Sequence, residues 1–439
     1  MGHIAVIVGD VYSVRASATE LSRRLAVAGH EVLLIVPSGR AAVSGAAGVE
    51  VVEHDPTTAP GLGGVALIES IVGVVPRRRR AAEALADPAL SGLLKHHGID
   101  LVLVDAELSA TIIEVLGSGH RAALLSTFQG IDRDLSRPPA HVGAVPGAGL
   151  GGSRLGIAAH WAKFLAKTEV KWARAWVLGR GDSARGRLRR RARQLGLPAG
   201  TVDPRQWVRP VGFPGLDVIE FNLAELELPP ATSSRRQLVG PMLGVAAAPD
   251  QRAADRLARI ELARASGERV VYCSFGSFAS SYGTALLQRV ADAVAQLDGV
   301  RLVLGLGGSG GIVERLQLSD DVIVFDWAPQ RKVLELADAA VIHGGHATLY
   351  ECISAAVPVV VLPMTMDQPG YAARVAFHGI GAVGPDDPAA ESVEEMAARV
   401  SQVLASTEMR RRVAAMSTAT DAAVHDRLAE VAVASLLEC

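Results

Sequence analysis

In WAPQRKVLELADAAVIHGGHATLYECISAAVPVVVLPMTMDQ, residues 327–368, a tryptophan stands directly after one apolar run, a His-Gly-Gly turn after the next, and Asp-Gln after a third. Trp327 offers a flat face for an aromatic base. A helix opening at about Ala347 has amides without internal partners, and with the Thr348 hydroxyl beside them they suit a diphosphate. Glu351, one turn later, can accept two hydrogen bonds from a ribose diol, while Asp367 and Gln368 add an acceptor and a donor for sugar hydroxyls. Taken singly, each has a plainer reading: a tryptophan after a strand as a core plug, His343 or His346 as a loop histidine bonded to its surroundings. Their joint spacing is what points to a ligand.

Such groups need strand ends to stand on. Apolar runs of strand length alternate with helical patterns: IAVIV at 4–8, EVLLIV at 31–36, DLVLVD at 100–105 and AALLS at 122–126, then RVVYCSF at 269–275, RLVLGL at 301–306, DVIVF at 321–325, AAVIH at 339–343 and VPVVVLP at 357–363. Apolar runs without alternation belong to parallel strands covered on both faces, and the helices between them make βαβ units. The expected fold is α/β: two Rossmann-like, doubly wound parallel-sheet domains facing a cleft. The chemistry-bearing groups then fall at carboxyl ends of strands, where such sheets bind ligands. The expected bounds are 1–235 for the first domain, 236–252 for a linker in a Pro-, Gly-, Ser- and Ala-rich stretch, 253–415 for the second, and 416–439 for a terminal helix packing back on the first.

A chain of 439 residues, 49% of them hydrophobic, can fill the cores of two or three domains. No apolar run approaches the roughly 20 residues of a membrane-spanning helix, and the amino terminus enters a strand without a positively charged lead, so a cytoplasmic protein is expected. Cys273, Cys352 and Cys439 are too far apart for a disulfide framework or a CxxC site, and no metal is expected. A formal charge of -2 calls for no nucleic-acid partner. GLGGSG at 305–310 fits a dinucleotide fingerprint with Asp326 following, but the intervening IVERLQL is only about two turns long. An NAD(P)-dependent oxidoreductase is therefore the weaker alternative.

The pattern W-A-P-Q…H-G-G-H…E…D-Q resembles the donor-binding box of the UDP-dependent inverting glycosyltransferases, a two-domain family of GT-B type. Glu351 follows His343 by eight residues and Gln368 follows Glu351 by seventeen, as in that box. VVYCSFGS at 270–277 looks like the family's other phosphate loop, and FNLAELELPPATSSRRQLVGPM at 221–242 is similar to bacterial carotenoid and macrolide members. The resemblance implies that Trp327 and Ala328 face the nucleobase, that Gln330 and Glu351 hold the ribose, and that Ser277, His343, Gly345, Ala347 and Thr348 surround the diphosphate. Asp367 and Gln368 would grip the hexose. It implies a UDP- or dTDP-hexose as co-substrate, no further cofactor, and transfer with inversion to a lipophilic small-molecule acceptor of the natural-product kind, as in antibiotic biosynthesis. Ala347 stands where plant members carry asparagine, which removes a side-chain phosphate contact and leaves the backbone N–H.

Inverting transfer needs a base within reach of the attacking hydroxyl. The family places a histidine in its first strand-to-helix loop, oriented by an aspartate after a later strand. Counting back from Gly29-His30, the histidine position falls on Val14, while Asp105 matches the aspartate. The replacement bases in view are Asp132, Asp134 and Asp10, with Glu107 and His141 also in the acceptor region. Each carboxylate also reads plainly as a turn or cap residue. A phenolic or enolic acceptor, already acidic, would relax the need for any of them, and a homologue that binds nucleotide sugar without chemistry, or supports a partner enzyme, is the alternative from another class.

Residues 160–193 combine Trp161, Trp172 and Trp176 with Lys163, Lys167, Lys171 and Arg174, followed by six arginines from Arg185 to Arg193. The stretch reads as a lid helix over the acceptor with a solvated outer face, or as a helix making peripheral contact with a membrane surface. PRRRR at 76–80 reads as an exposed helix start, and a homodimer is compatible with the sequence.

Overall fold

The computed structural model describes residues 1–41, 47–55, 82–130, 133–179, 182–204, 209–229, 235–244, 248–276, 284–308, 310–385 and 387–438. Their strands form two sheets. In the first, β1 (His3–Ile7), β2 (Glu31–Val36), β3 (Val49–Glu53), β4 (Leu101–Asp105), β5 (Ala122–Ser126), β6 (Val218–Glu220) and β7 (Arg236–Leu238) lie in the order 3-2-1-4-5-6-7. In the second, β8 (Arg269–Ser274), β9 (Val300–Gly305), β10 (Ile323–Phe325), β11 (Ala339–Ile342), β12 (Val359–Val361) and β13 (Gly381–Val383) lie in the order 10-9-8-11-12-13. Every pairing is parallel. Each sheet thus reverses its strand order once, between β1 and β4 and between β8 and β11, and opens a crevice there at the carboxyl ends.

The two doubly wound sheets expected from the alternating pattern are present. Strand β7 lies within the stretch read as linker, and belongs to the first sheet through its pairing with β6. GLGGSG runs into a short 3-10 turn, Gly310–Arg315, so no helix follows on which a dinucleotide could seat its phosphates. The single terminal helix expected at 416–439 is two helices, α12 (Thr407–His425) and α13 (Leu428–Glu438), broken at Arg427 with φ 53°. Helix α13 buries Ala429, Ala432, Val433 and Leu436 in the core of the first sheet, and the Arg121 guanidinium donates to the Leu436 carbonyl.

Helix α1 (Tyr12–Val27) illustrates how pattern becomes packing. Val14, Ala18, Leu21 and Leu25 recur at helical spacing, are all buried, and join Val6, Val8 and Leu34 of the sheet in one cluster. Remaining helices cover both faces of the sheets: α2 (Pro88–His96), α3 (Ser109–Gly117), α4 (Arg154–Leu178) and α5 (Ala184–Gln194) in the first half, α6 (Gln251–Ala265), α7 (Thr284–Ala295), α8 (Gln330–Leu334), α9 (His346–Ser354), α10 (Gln368–His378) and α11 (Val393–Ala405) in the second.

Candidate active site

The donor-side residues gather where the second sheet reverses. His343 follows β11 beside Ser274, the last residue of β8, and Gly276 just past it. A Cβ at Gly345 would run into the His343 ring, and one at Gly276 would lie 3.2 Å from its Cε1, so two glycines frame the imidazole. Burial holds that imidazole near pKa 4, hence neutral. Gly345 is the N-cap of α9 and gives the helix no side-chain cap, which leaves the first amides, including those of Ala347 and buried Thr348, for another acceptor.

One turn along α9, Glu351 accepts from the Gln330 amide at the start of α8, and the Tyr272 hydroxyl donates to Gln330 Oε1 at 3.0 Å. Loss of water raises the Glu351 carboxyl to about 7. Trp327 precedes this pair and is 56% exposed, a degree that a core plug would not show. Beyond β12, Met366 at φ 55° makes a strained corner, and Asp367 follows as N-cap of α10 without capping the helix through its side chain. Burial lifts Asp367 to about 7, aided by the Glu107 charge and opposed by a backbone bond and Arg374. Gln368 turns its Oε1 back onto the Met364 and Thr365 amides, at 2.9 and 3.0 Å, and so shapes this corner. Ser277 lies outside the described residues.

Across the cleft, Asp105 closes β4. Its oxygens accept from the Gly9 and Glu107 amides at 3.3 and 2.9 Å, and burial raises its pKa. Val14 is a core residue of the first turn of α1, 5% exposed. Tyr12, the first residue of α1, reaches across to the donor side, where its ring meets Trp327 edge-on, centroids 5.7 Å apart. Glu107, with a half-exposed side chain, is bound by Arg209 at 2.8 Å. Its charge acts on both Asp105 and Asp367.

Two of the replacement bases read from the sequence are corrected by their surroundings. Asp10 is clamped by Arg40 at 2.7 and 3.0 Å and by Arg15 at 2.8 Å, and the Arg40 hydrogen bond leads in holding it below the ordinary carboxylate range. Asp134 accepts from the Ser136 amide and hydroxyl and from Arg137; burial pulls its pKa up, yet these bonds outweigh it. Both are poor proton acceptors with their lone pairs engaged. Asp132 lies outside the described residues. His141 packs on Phe164 with centroids 3.9 Å apart beneath α4, and burial lowers it to about 4.

Two facing sheets of 3-2-1-4-5-6 order, with phosphate- and ribose-suited groups at the reversal of one and an aspartate at that of the other, define the glycosyltransferase architecture called GT-B. Residues 238–426 match the family of UDP-glucoronosyl and UDP-glucosyl transferases. Curated relatives include the zeaxanthin glucosyltransferase of Pantoea ananas, 34% identical over 25% of this chain and 26% of the relative, and the oleandomycin glycosyltransferase of Streptomyces antibioticus, 34% identical over 26% and 27%. A sterol 3-beta-glucosyltransferase of Leptosphaeria maculans is 33% identical over 29% of this chain and 9% of its own length. The chain thus aligns with about a quarter of the length of the first two and under a tenth of the third. Among solved structures, the calicheamicin glycosyltransferase matches with a TM-score of 0.64 at 19% identity, covering 100% of this chain and 98% of that one. The glycosyltransferase SnogD from Streptomyces nogalater matches at 0.62 and 19%, covering 99% of each chain.

Proposed function

We propose that the protein transfers a hexose, with inversion and without a required metal, from a UDP- or dTDP-hexose to a largely apolar small molecule. The observation that carries this is the donor groove: an uncapped helix start at Gly345, the Gln330–Glu351 pair one turn on, an exposed Trp327, and Asp367 at a strained corner, all at carboxyl ends of one parallel sheet. The family match covers this half, and the relatives named above act on sterols, zeaxanthin and oleandomycin, which are bulky and mostly apolar. We place the work in the cytoplasm; among the described residues no helix is long and apolar enough to cross a membrane.

In this reading the nucleobase lies on Trp327, the ribose diol on Glu351, the diphosphate on the start of α9 beside His343, and the hexose against Asp367. A neutral His343 contributes by hydrogen bonding rather than by charge. The acceptor hydroxyl attacks the anomeric carbon from the first half's side, and we assign its proton to Glu107, whose charge acts on both Asp105 and Asp367 and which Arg209 binds through one oxygen only, while both oxygens of Asp10 and of Asp134 are engaged. Asp105, buried and bonded to the Gly9 and Glu107 amides, fixes the turn that presents Glu107. The second reading, a nucleotide-sugar-binding homologue without chemistry, is favoured by one observation: Val14 fills the family's histidine position with core packing.

Turnover with phenolic, alcoholic and carbon acceptors, measured alongside calorimetry with UDP- and dTDP-sugars, separates the two. Glu107→Gln should lower kcat about a hundred- to ten-thousand-fold with donor affinity unchanged, the range a positioned base supplies. Asp10→Asn and Asp134→Asn should leave most turnover. Donor binding without transfer to any acceptor selects the second reading, and an active Glu107→Gln variant removes Glu107 as the base.

A further inference from the structure

Helix α4 carries two faces with different surroundings. Its inner face buries Ile157, Trp161 and Thr168, with Phe164 and Leu165 half-buried, against Phe128, Ala140 and His141 of the loop after β5. That loop reaches the donor side, since the Gln129 amide donates to the Asp367 carbonyl at 3.2 Å. The outer face meets solvent. Of eighteen large apolar side chains exposed among the described residues, six lie between 150 and 178: Leu150, Leu155, Val170, Trp176, Val177 and Leu178. Scattered exposed apolar residues are ordinary, but a third of them in one short stretch is a patch.

The charges beside this patch are not those of the chain at large. Only five lysines occur in 439 residues, and three of them, Lys163, Lys167 and Lys171, recur every fourth residue of α4. At 100° per residue they fall with Arg174 in a strip about 80° wide, next to the strip holding Leu155, Val170 and Val177. All four are exposed, and none forms an ion pair with another described residue, Lys171 lying over the Trp172 ring at 5.5 Å. The arginine run that follows is spent differently. Arg185 pairs with Glu169, Arg187 and Arg190 with Asp182, and Arg191 with Glu114, so most of it braces α5. An apolar strip alongside a free cationic strip matches a surface that is anionic outside and apolar just beneath.

We propose that the outer face of α4 docks on an anionic lipid bilayer. The lysine strip meets the headgroups, and Leu155, Val170 and Val177 of the adjoining strip enter the boundary below them. The use of this contact, taking up a lipophilic acceptor from the bilayer beneath the helix, rests on the proposed function; the contact itself does not.

Sedimentation of the full chain with vesicles of phosphatidylcholine, and of phosphatidylcholine mixed with phosphatidylglycerol, tests the proposal. The wild type should bind the anionic vesicles far more strongly than the neutral ones, and salt should release it as the screening length shortens. Each lysine at such a surface is worth about fivefold in partitioning, so K163Q/K167Q/K171Q should lower binding about a hundredfold. L155S/V170S/V177S should weaken binding to the anionic vesicles as well. Equal binding to both vesicle types, no binding to either, or unchanged binding by the lysine variant overturns the proposal. So does light scattering that finds a dimer lost in these variants with no vesicle binding, which would make the face a contact between copies. Calorimetry with UDP and dTDP should be unaffected by either variant; a failure of nucleotide binding in the wild type bears on the proposed function and leaves the vesicle result standing.

Discussion

Glu351 and Asp367 are both carboxyls lifted to about 7 by burial in the unliganded groove, and this fixes how donor binding depends on pH. A ribose diol is held best by an ionised acceptor, and hydrogen bonds to charged groups are worth about 1.5–3 kcal/mol against about 0.5–1.5 for neutral ones. As pH falls from 8 to 6 the Glu351 carboxyl protonates, so UDP affinity should drop about tenfold over that interval. Glu351→Gln should bind weakly at both pH values and flatten the profile; calorimetry at the two ends checks it, and a steep profile retained in the variant would assign the titration elsewhere. The sign for stability is opposite to the usual carboxylate case. With folded pKa values above the unfolded ones, these groups favour the fold below pH 4 and give that contribution up as pH rises through 7. That Trp327, Glu351 and Asp367 come together at strand ends was legible because their spacing follows one strand-helix-strand unit. Tyr272 on Gln330, Arg209 on Glu107 and Tyr12 on Trp327 were not, since each joins residues 58 to more than 300 positions apart and leaves no local pattern. Asp10 was misread for the same reason: an aspartate ending a strand looks alike whether it faces a cleft or Arg40.

At the scale of elements, the long central strands could be read to within about two residues, because burial on both faces makes them continuously apolar. The missed strands are β3, which alternates polar and apolar at the sheet edge, and the three-residue β6, β7 and β13, too short for any periodicity. The short turn between β11 and α9 depends on two glycines for different reasons. Gly344 has φ 81°, a left-handed conformation that glycine adopts without strain, whereas Gly345 has φ -70° and is needed because a Cβ would strike the His343 ring. Gly345→Ala should therefore leave the backbone able to start α9 but push the imidazole off its seat. The expected result is a loss of about 1–3 kcal/mol in stability, the cost of overpacking, together with weaker nucleotide binding. Chemical denaturation and calorimetry on the same variant check both, and unchanged nucleotide affinity would detach His343 from the diphosphate site.

The whole molecule is held as one cleft by a buried polar seam that no local sequence pattern reveals. Tyr371 of α10 donates to the Thr127 carbonyl at 2.8 Å and to Asn222 Oδ1 at 2.7 Å, Tyr350 of α9 donates to the same Asn222 oxygen at 3.3 Å, and His346 bonds the Phe221 carbonyl at 2.8 Å. At its centre Glu227, from the loop after β6, accepts from Arg137 of the first half at 2.9 Å and from Arg374 of α10 at 2.9 Å, and Arg374 also reaches Gln129. Arg236 stands 3.9 Å away and pairs with Glu220. One buried anion thus offsets cations from both halves of the molecule. Removing it leaves guanidinium groups out of water without a counter-charge, which typically costs about 3–5 kcal/mol, far more than an exposed pair. Glu227→Gln keeps the shape and an acceptor oxygen and removes the charge, so the loss should fall on the contact between the sheets rather than on either core. Calorimetry should show the unfolding of the variant separating into two transitions where the wild type unfolds more cooperatively. Adding Arg374→Met should recover part of the stability, because it withdraws one stranded cation and fills its place with an apolar chain. If Glu227→Gln unfolds as the wild type does, the seam is not what couples the two sheets, and the coupling must come from the apolar contacts of α13 with the first core.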